Sequence, residues 1–184
     1  FAADPGAFCS AWGAHPLWHI GCPDRAIERS LEAIQRAEAL EHPYSMALAF
    51  DYAAIVHQFR RETKSALEKA EAAISICKEE KFAYYLGWAM ILKGWALACQ
   101  DDDEQGVNEI QQGLNVLRDT GAKRSMPYYL SLLAEAHGQG GRTQKGLQII
   151  SEAIAAAEEM EELWWEAELY RIQGVLMLQQ SRAN

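Results

Sequence analysis

The residues most able to do chemistry lie in three short stretches. In AHGQGGRTQKGLQII, residues 136–150, Gly138, Gly140 and Gly141 run ahead of Lys145. Such a combination cradles a phosphate when backbone N–H groups and a lysine converge on it. That loop requires G-x-x-x-x-G-K-[ST] after a strand. Here Lys145 is followed by Gly146 and a helical pattern precedes the glycines, so the stretch reads as a turn between two helices. His15 and His19 stand four apart and would set two imidazoles on one helix face as metal ligands. Pro16 interrupts them, and the glutamate of an H-E-x-x-H motif is missing. The run Asp101, Asp102, Asp103, Glu104 lacks the D-x-[DN]-x-[DN]-G order of a calcium loop and suits a solvated helix start. Glu158, Glu159, Glu161 and Glu162 read as an exposed face near a helix end. No nucleophile stands beside an identifiable base, so neither an enzyme nor a cofactor or metal is expected.

Composition narrows the partners. The chain has 184 residues, 49% of them hydrophobic and 23% charged, enough for one sizeable domain. Its formal charge of −9 would repel a phosphate backbone, which excludes nucleic acid as the expected ligand. Cys9, Cys22, Cys77 and Cys99 are scattered without a C-x-x-C pair, and no apolar run is long enough to span a bilayer. A cytoplasmic protein in a reducing compartment is expected. The chain starts at Phe1, already in helical rhythm, as a piece of something longer would.

The elements that must position these residues follow from an internal repeat. Gly146, Ile150, Ala153 and Ile154 have counterparts forty residues earlier at Gly106, Ile110, Gly113 and Leu114, then at Ala66, Ala70, Ala73 and Ile74, then at Ala26, Ser30, Ala33 and Ile34. A second column of small residues runs through Ala14, Ala54, Gly94, Ala134 and Gly174, with Leu17, His57, Leu97, His137 and Met177 three places on. Small residues at a fixed register let helix backbones approach closely, and His57 and His137 read as core histidines with a hydrogen-bond partner. Each unit is thus a helical hairpin. First helices are expected near 5–20, 43–60, 83–99, 124–138 and 163–180, apolar on most of their circumference. Second helices near 23–40, 63–79, 103–119 and 142–160 carry a narrower stripe, with Thr63, Asp103 and Thr143 as N-caps and Pro23 in the same place.

Three small columns in register resemble the tetratricopeptide repeat, although forty residues exceed that family's usual 34. The resemblance implies an all-α fold, a right-handed α-solenoid of antiparallel hairpins. It covers nearly the whole chain as one domain, 1–184, with units at 3–42, 43–82, 83–122 and 123–162 and a terminal helix at 163–180. The stretches HPYSMALAFDYAAIVHQFRRE, GWAMILKGWALA and WWEAELYRIQGVLMLQ look similar to repeats of bacterial multidomain adenylate or guanylate cyclases and related signalling ATPases. No residue here carries cyclase or ATPase chemistry.

The resemblance also implies a concave binding groove. One column of it holds Phe8, Leu48, Trp88 and Tyr128; a second holds Ala11, Asp51, Ile91, Ser131 and Arg171; a third holds His15, Ile55, Trp95 and Glu135. The expected groove residues are therefore Phe8, Leu48, Asp51, Ile55, Trp88, Trp95, Tyr128 and Glu135, with Asp51 a solvated carboxylate. Trp88 and Trp95 stand two helical turns apart and are the aromatic anchors. Against this, both tryptophans could be core. The Lys and Asn of a carboxylate clamp are replaced by Asp51, Ile91 and Ser131. The implied function is a non-catalytic interaction or regulatory module of a bacterial signalling protein, binding a peptide, a partner domain or another part of its own polypeptide. The alternatives are a sensor enclosing a small ligand and a self-association module. For the last, the terminal helix offers Leu163, Trp164, Ile172, Val175 and Leu176 without a following helix to cover them.

Overall fold

The computed structural model describes residues 2–100 and 103–183. The main chain is helical throughout, with no strand among the described residues. Its helices are α1 (Pro5–His19), α2 (Pro23–Ala39), α3 (Pro43–Phe59), α4 (Thr63–Glu80), α5 (Ala83–Ala98), α6 (Asp103–Asp119), α7 (Met126–Gln139) and α8 (Thr143–Glu159). A short 3₁₀ turn, Leu163–Trp165, then leads into α9 (Glu166–Ala183). The odd-numbered helices pack side by side as one layer, and each even-numbered helix packs on the helix before it and the helix after it. The result is an all-α solenoid of hairpins. The apolar stripe explains the layering: α3 buries residues all round its circumference, whereas α4 buries only Ala66, Ala70, Ala73, Ile74 and Cys77.

The turns recur at half the repeat. Gly21, Glu41, Arg61, Lys81, Gly121, Gly141 and Glu161 all have φ between 47° and 82°. Each ends a helix with the left-handed residue that lets trailing N–H groups fold back on the last carbonyls. Cys22, His42, Glu62, Arg142 and Glu162 donate their N–H to Leu17, Ala37, His57, His137 and Ala157, as that motif requires. Two expectations change here. Only Gly141 of the three glycines needs this backbone; Gly138 lies inside α7, where a side chain would collide with Leu176. Thr63 and Thr143 are the first helical residues rather than the caps, and Glu62 and Arg142 in the cap positions make no side-chain cap bond. Three residues, 60–62 and 140–142, separate the helices of these hairpins, and the last of them is the cap. Asp103 likewise opens α6, while Asp101 and Asp102 lie outside the described residues.

Close packing is tightest in the third hairpin. A Cβ on Gly106 would stand 2.6 Å from the Gly94 carbonyl oxygen, and one on Gly113 would stand 2.8 Å from that of Gly87. In the terminal helix, Leu169, Ile172 and Leu176 are buried against the preceding hairpin, so Ile172 and Leu176 do not belong to the open face. That face consists of Leu163, Trp164 and Val175, joined by Tyr170, Met177 and Leu178.

The small columns make a signed prediction. Gly106→Ala is expected to destabilise the protein by about 1–3 kcal/mol through overpacking, although alanine is the better helix former by about 1 kcal/mol. At Gly174, in the Gly94 column, a methyl would meet nothing within 4 Å. Gly174→Ala is therefore expected to stabilise by up to about 1 kcal/mol. Urea unfolding of the two variants checks this, and shifts of the same sign would contradict it.

Candidate recognition groove

The odd-numbered helices turn their aromatic residues toward one another on the inner face. Tyr52 meets Trp88 with ring centroids 5.5 Å apart, Trp88 meets Tyr129 at 5.9 Å, Tyr129 meets Tyr128 at 5.3 Å, and Tyr128 meets Trp164 at 5.5 Å. The chain of rings closes on itself. His19 reaches Trp164 at 5.9 Å, Trp18 reaches Trp165 at 6.5 Å, and Phe59 stacks on Trp165 at 4.9 Å. The first and last units are thereby joined across the concave side, and the groove is divided into two pockets.

The smaller, of about 310 Å³, combines aromatic walls with charged groups. Trp18, Phe59, Trp95 and Trp165 wall it, and Arg61, Glu135, Glu168 and Arg171 furnish it. Arg61 donates to both Glu135 oxygens at 2.5 and 2.7 Å and to Glu168 at 2.8 Å. Arg171 donates twice to Glu168 at 2.6 Å, and the Trp95 indole N–H donates to Glu135 at 2.8 Å. Two cations answer two anions, so the pocket presents no unbalanced charge from this network. The larger, of about 440 Å³, is aromatic and includes Trp12, Tyr52, Tyr84, Trp88 and Trp164 in its wall. Arg124 and Glu162 stand among its lining residues. Glu162 accepts the Ser125 N–H through both oxygens, at 2.8 and 3.1 Å, which removes it from the expected exposed acidic face.

The expected groove residues separate accordingly. Phe8, Ile55, Trp88 and Tyr128 line the larger pocket, and Trp95 and Glu135 the smaller. Trp88 and Trp95 thus serve different pockets, because two turns of α5 carry them past the aromatic partition. Leu48 and Asp51 line neither pocket. Trp95 is 0% exposed, a core ring whose indole nitrogen reaches Glu135. Asp51 is the clearest correction: it is 0% exposed rather than solvated, and neither carboxyl oxygen has a hydrogen-bond partner. In the same column Ile91 is buried, and the Ser131 hydroxyl donates to the Tyr128 carbonyl at 2.7 Å while accepting the Trp165 indole N–H at 3.1 Å.

The histidines are held by neighbours. His57 pairs with Glu62 at 2.7 Å, and His137 accepts from Arg142 at 3.1 Å, both through Nδ1 and both five residues on. His15 packs on Tyr52 at 4.8 Å and Phe59 at 5.3 Å, and burial pushes its imidazole down to about 4, so it is neutral near pH 7. Sequence reasoning missed Arg61, Glu168, Trp18, Phe59 and Trp165. Arg61 occupies a turn, and only its twenty-residue spacing from the other left-handed positions marks it. The others meet across more than one unit, which periodicity does not report.

This fold and inner surface define the class: a tetratricopeptide-like α-solenoid. No family model matches the sequence. The uncharacterized protein R02095 of Rhizobium meliloti (strain 1021) is 28% identical over 163 residues, 87% of this chain and 16% of that protein. The chain therefore spans about one-sixth of that relative's length. Among solved structures it is similar to the apo form of RapI, with a TM-score of 0.69 and 12% identity over 95% of this chain and 65% of that one. It is also similar to aspartyl phosphate phosphatase F from Bacillus subtilis, with a TM-score of 0.65 and 14% identity over 92% and 45%. A Podosopora anserina kinesin light chain of nearly identical TPR-like repeats gives 0.61 and 15% over 97% and 92%. At these identities the solved structures establish the fold alone.

Burial of Asp51 sets a pH dependence. Desolvation holds its carboxyl well above the usual carboxylate range. The folded chain keeps a proton that the unfolded chain releases above about pH 4. Stability is therefore lost as pH rises from about 4 through the raised native value. Asp51→Asn is expected to match the wild type near pH 4 and to exceed it by at least about 1 kcal/mol at pH 7. Thermal melts across that range check the divergence. Trp95→Ala is expected to cost about 3–5 kcal/mol of folding stability, as for an aromatic truncated in a packed interior, measurable by denaturant titration.

Proposed function

We propose that the chain is a non-catalytic interaction module that receives a peptide or a segment of a partner domain against its concave aromatic face. The observation that carries this reading is the larger pocket, whose aromatic walls come from α1, α3, α5, α7 and the 3₁₀ turn together. Aromatic residues bury much area for few frozen torsions and dominate binding energy at interfaces. Residues 1–184 then form one repeat domain, with units at 3–42, 43–82, 83–122 and 123–162 and, in place of a helix at 163–180, the 3₁₀ turn and α9 as the terminal element.

The setting belongs to the proposal too: a larger bacterial signalling protein, with other domains of the same polypeptide among the partners. The much longer Rhizobium relative, of which this chain covers 16%, supports it. A cytoplasmic location is supported by the acidic composition, by four cysteines outside any disulfide, and by the lack of a helix among the described residues long and apolar enough to cross a membrane. Two further readings rest on specific features. The division of the groove into pockets favours a small ligand, and the exposed face of α9 with Tyr170, Val175, Met177 and Leu178 favours pairing with a second copy.

Peptide display tests the main reading. A random heptapeptide library is selected on the wild type, and the selected peptides are titrated against Trp12→Ala. Trp12 is 39% exposed and lines the larger pocket, so its loss is expected to weaken binding by about 2 kcal/mol with little change in melting temperature. Selected peptides that bind both proteins equally would place recognition elsewhere.

A further inference from the structure

We infer that the larger pocket binds a small organic anion with a flat aromatic body, its anionic group held by the Arg124 guanidinium. The inference rests on the concave pocket being the recognition site and names the ligand chemistry. A volume of about 440 Å³ lies within the usual range for small-molecule sites. Trp12, Tyr52, Tyr84, Trp88 and Trp164 offer ring faces and edges to a flat body.

Charge selects among flat bodies. Arg124 is exposed at the pocket and forms no ion pair or side-chain hydrogen bond among the described residues. It shares the pocket lining with Tyr52 and Tyr84. The pocket's carboxylate, Glu162, is already engaged by the Ser125 N–H. Arg61 and Arg171, by contrast, are paired in the smaller pocket. A cation would be drawn by the ring faces and by Glu162, which keeps its charge while accepting the Ser125 N–H, but would meet the unpaired Arg124. A neutral body would leave the five guanidinium donors to water. A carboxylate pairs with them in a planar, two-point arrangement.

One enclosed donor adds to the guanidinium. The Tyr129 hydroxyl belongs to a lining residue and has no hydrogen-bond partner. An oxygen-bearing ligand satisfies the hydroxyl, whose burial otherwise carries a cost. The site also has a geometric consequence. Its walls include Trp12 near the start of the arc and Trp164 near its end, so an occupant would contact both.

The test uses three probes that share one ring system and differ in charge: 1-naphthylacetate, 1-naphthylacetamide and 1-naphthylmethylamine. Calorimetric titration of the wild type is expected to give the acetate an affinity at least about tenfold above the amide, with the amine no tighter than the amide. In Arg124→Gln that preference is expected to vanish while the amide affinity stays the same. Arg124 is exposed, and an unchanged melting temperature confirms that the variant is folded. Equal affinities for the three probes, a preference for the amine, or an acetate preference that survives in Arg124→Gln would overturn the inference. If no probe binds while displayed peptides still depend on Trp12, the small-anion inference fails and the concave-face reading stands. If neither behaviour is seen, both fall.

Discussion

Everything in this chain depends on a backbone reversal at a fixed interval. A residue in the left-handed region follows seven of the helices, at positions 21, 41, 61, 81, 121, 141 and 161. At four of them it is not glycine, so the conformation costs about 1–2 kcal/mol each time. Helix packing and the returning N–H bonds must offset that cost. The even spacing keeps successive first helices in one layer, and it delivers Arg61 from a turn to Glu135 and Glu168. A shift of one residue at such a turn would rotate the next helix by about 100°, the angle per residue of a 3.6-residue turn.

Small residues then decide how closely each hairpin closes. Alanine serves at Ala54 and Ala134, whereas the third hairpin brings Gly94 against Gly106 and Gly87 against Gly113. The large side chains displaced from these seams gather on the inner layer. That is why the concave side is crowded with rings rather than open, and why the groove is two pockets instead of one channel.

The sequence revealed what repeats and concealed what does not. The forty-residue columns gave the first eight helices to within a residue or two, missed the terminal one by three at each end, and placed Trp88, Tyr128, Ile55 and Phe8, which line one cleft, on the inner face. A column is a statement about one face of each helix. It does not say how tightly the arc curls, and the curl buries Trp95 and joins Trp18 to Trp165. Asp51 shows the same limit at one residue. Its charge suggested solvent, while its column neighbours Ile91 and Ser131 were the better guide to burial.

The contacts across the concave side alter how the molecule comes apart. In an open solenoid each unit touches its neighbours alone, and stability behaves as a linear sum in which the ends fray first. Here Arg61 bonds to Glu168 across 107 residues of chain, and His19 and Trp18 meet Trp164 and Trp165. The terminal units support each other as well as the units beside them. Opening at one end therefore exposes surface at the other, and the array unfolds more nearly as a single cooperative block than a row of four independent hairpins and a terminal helix would.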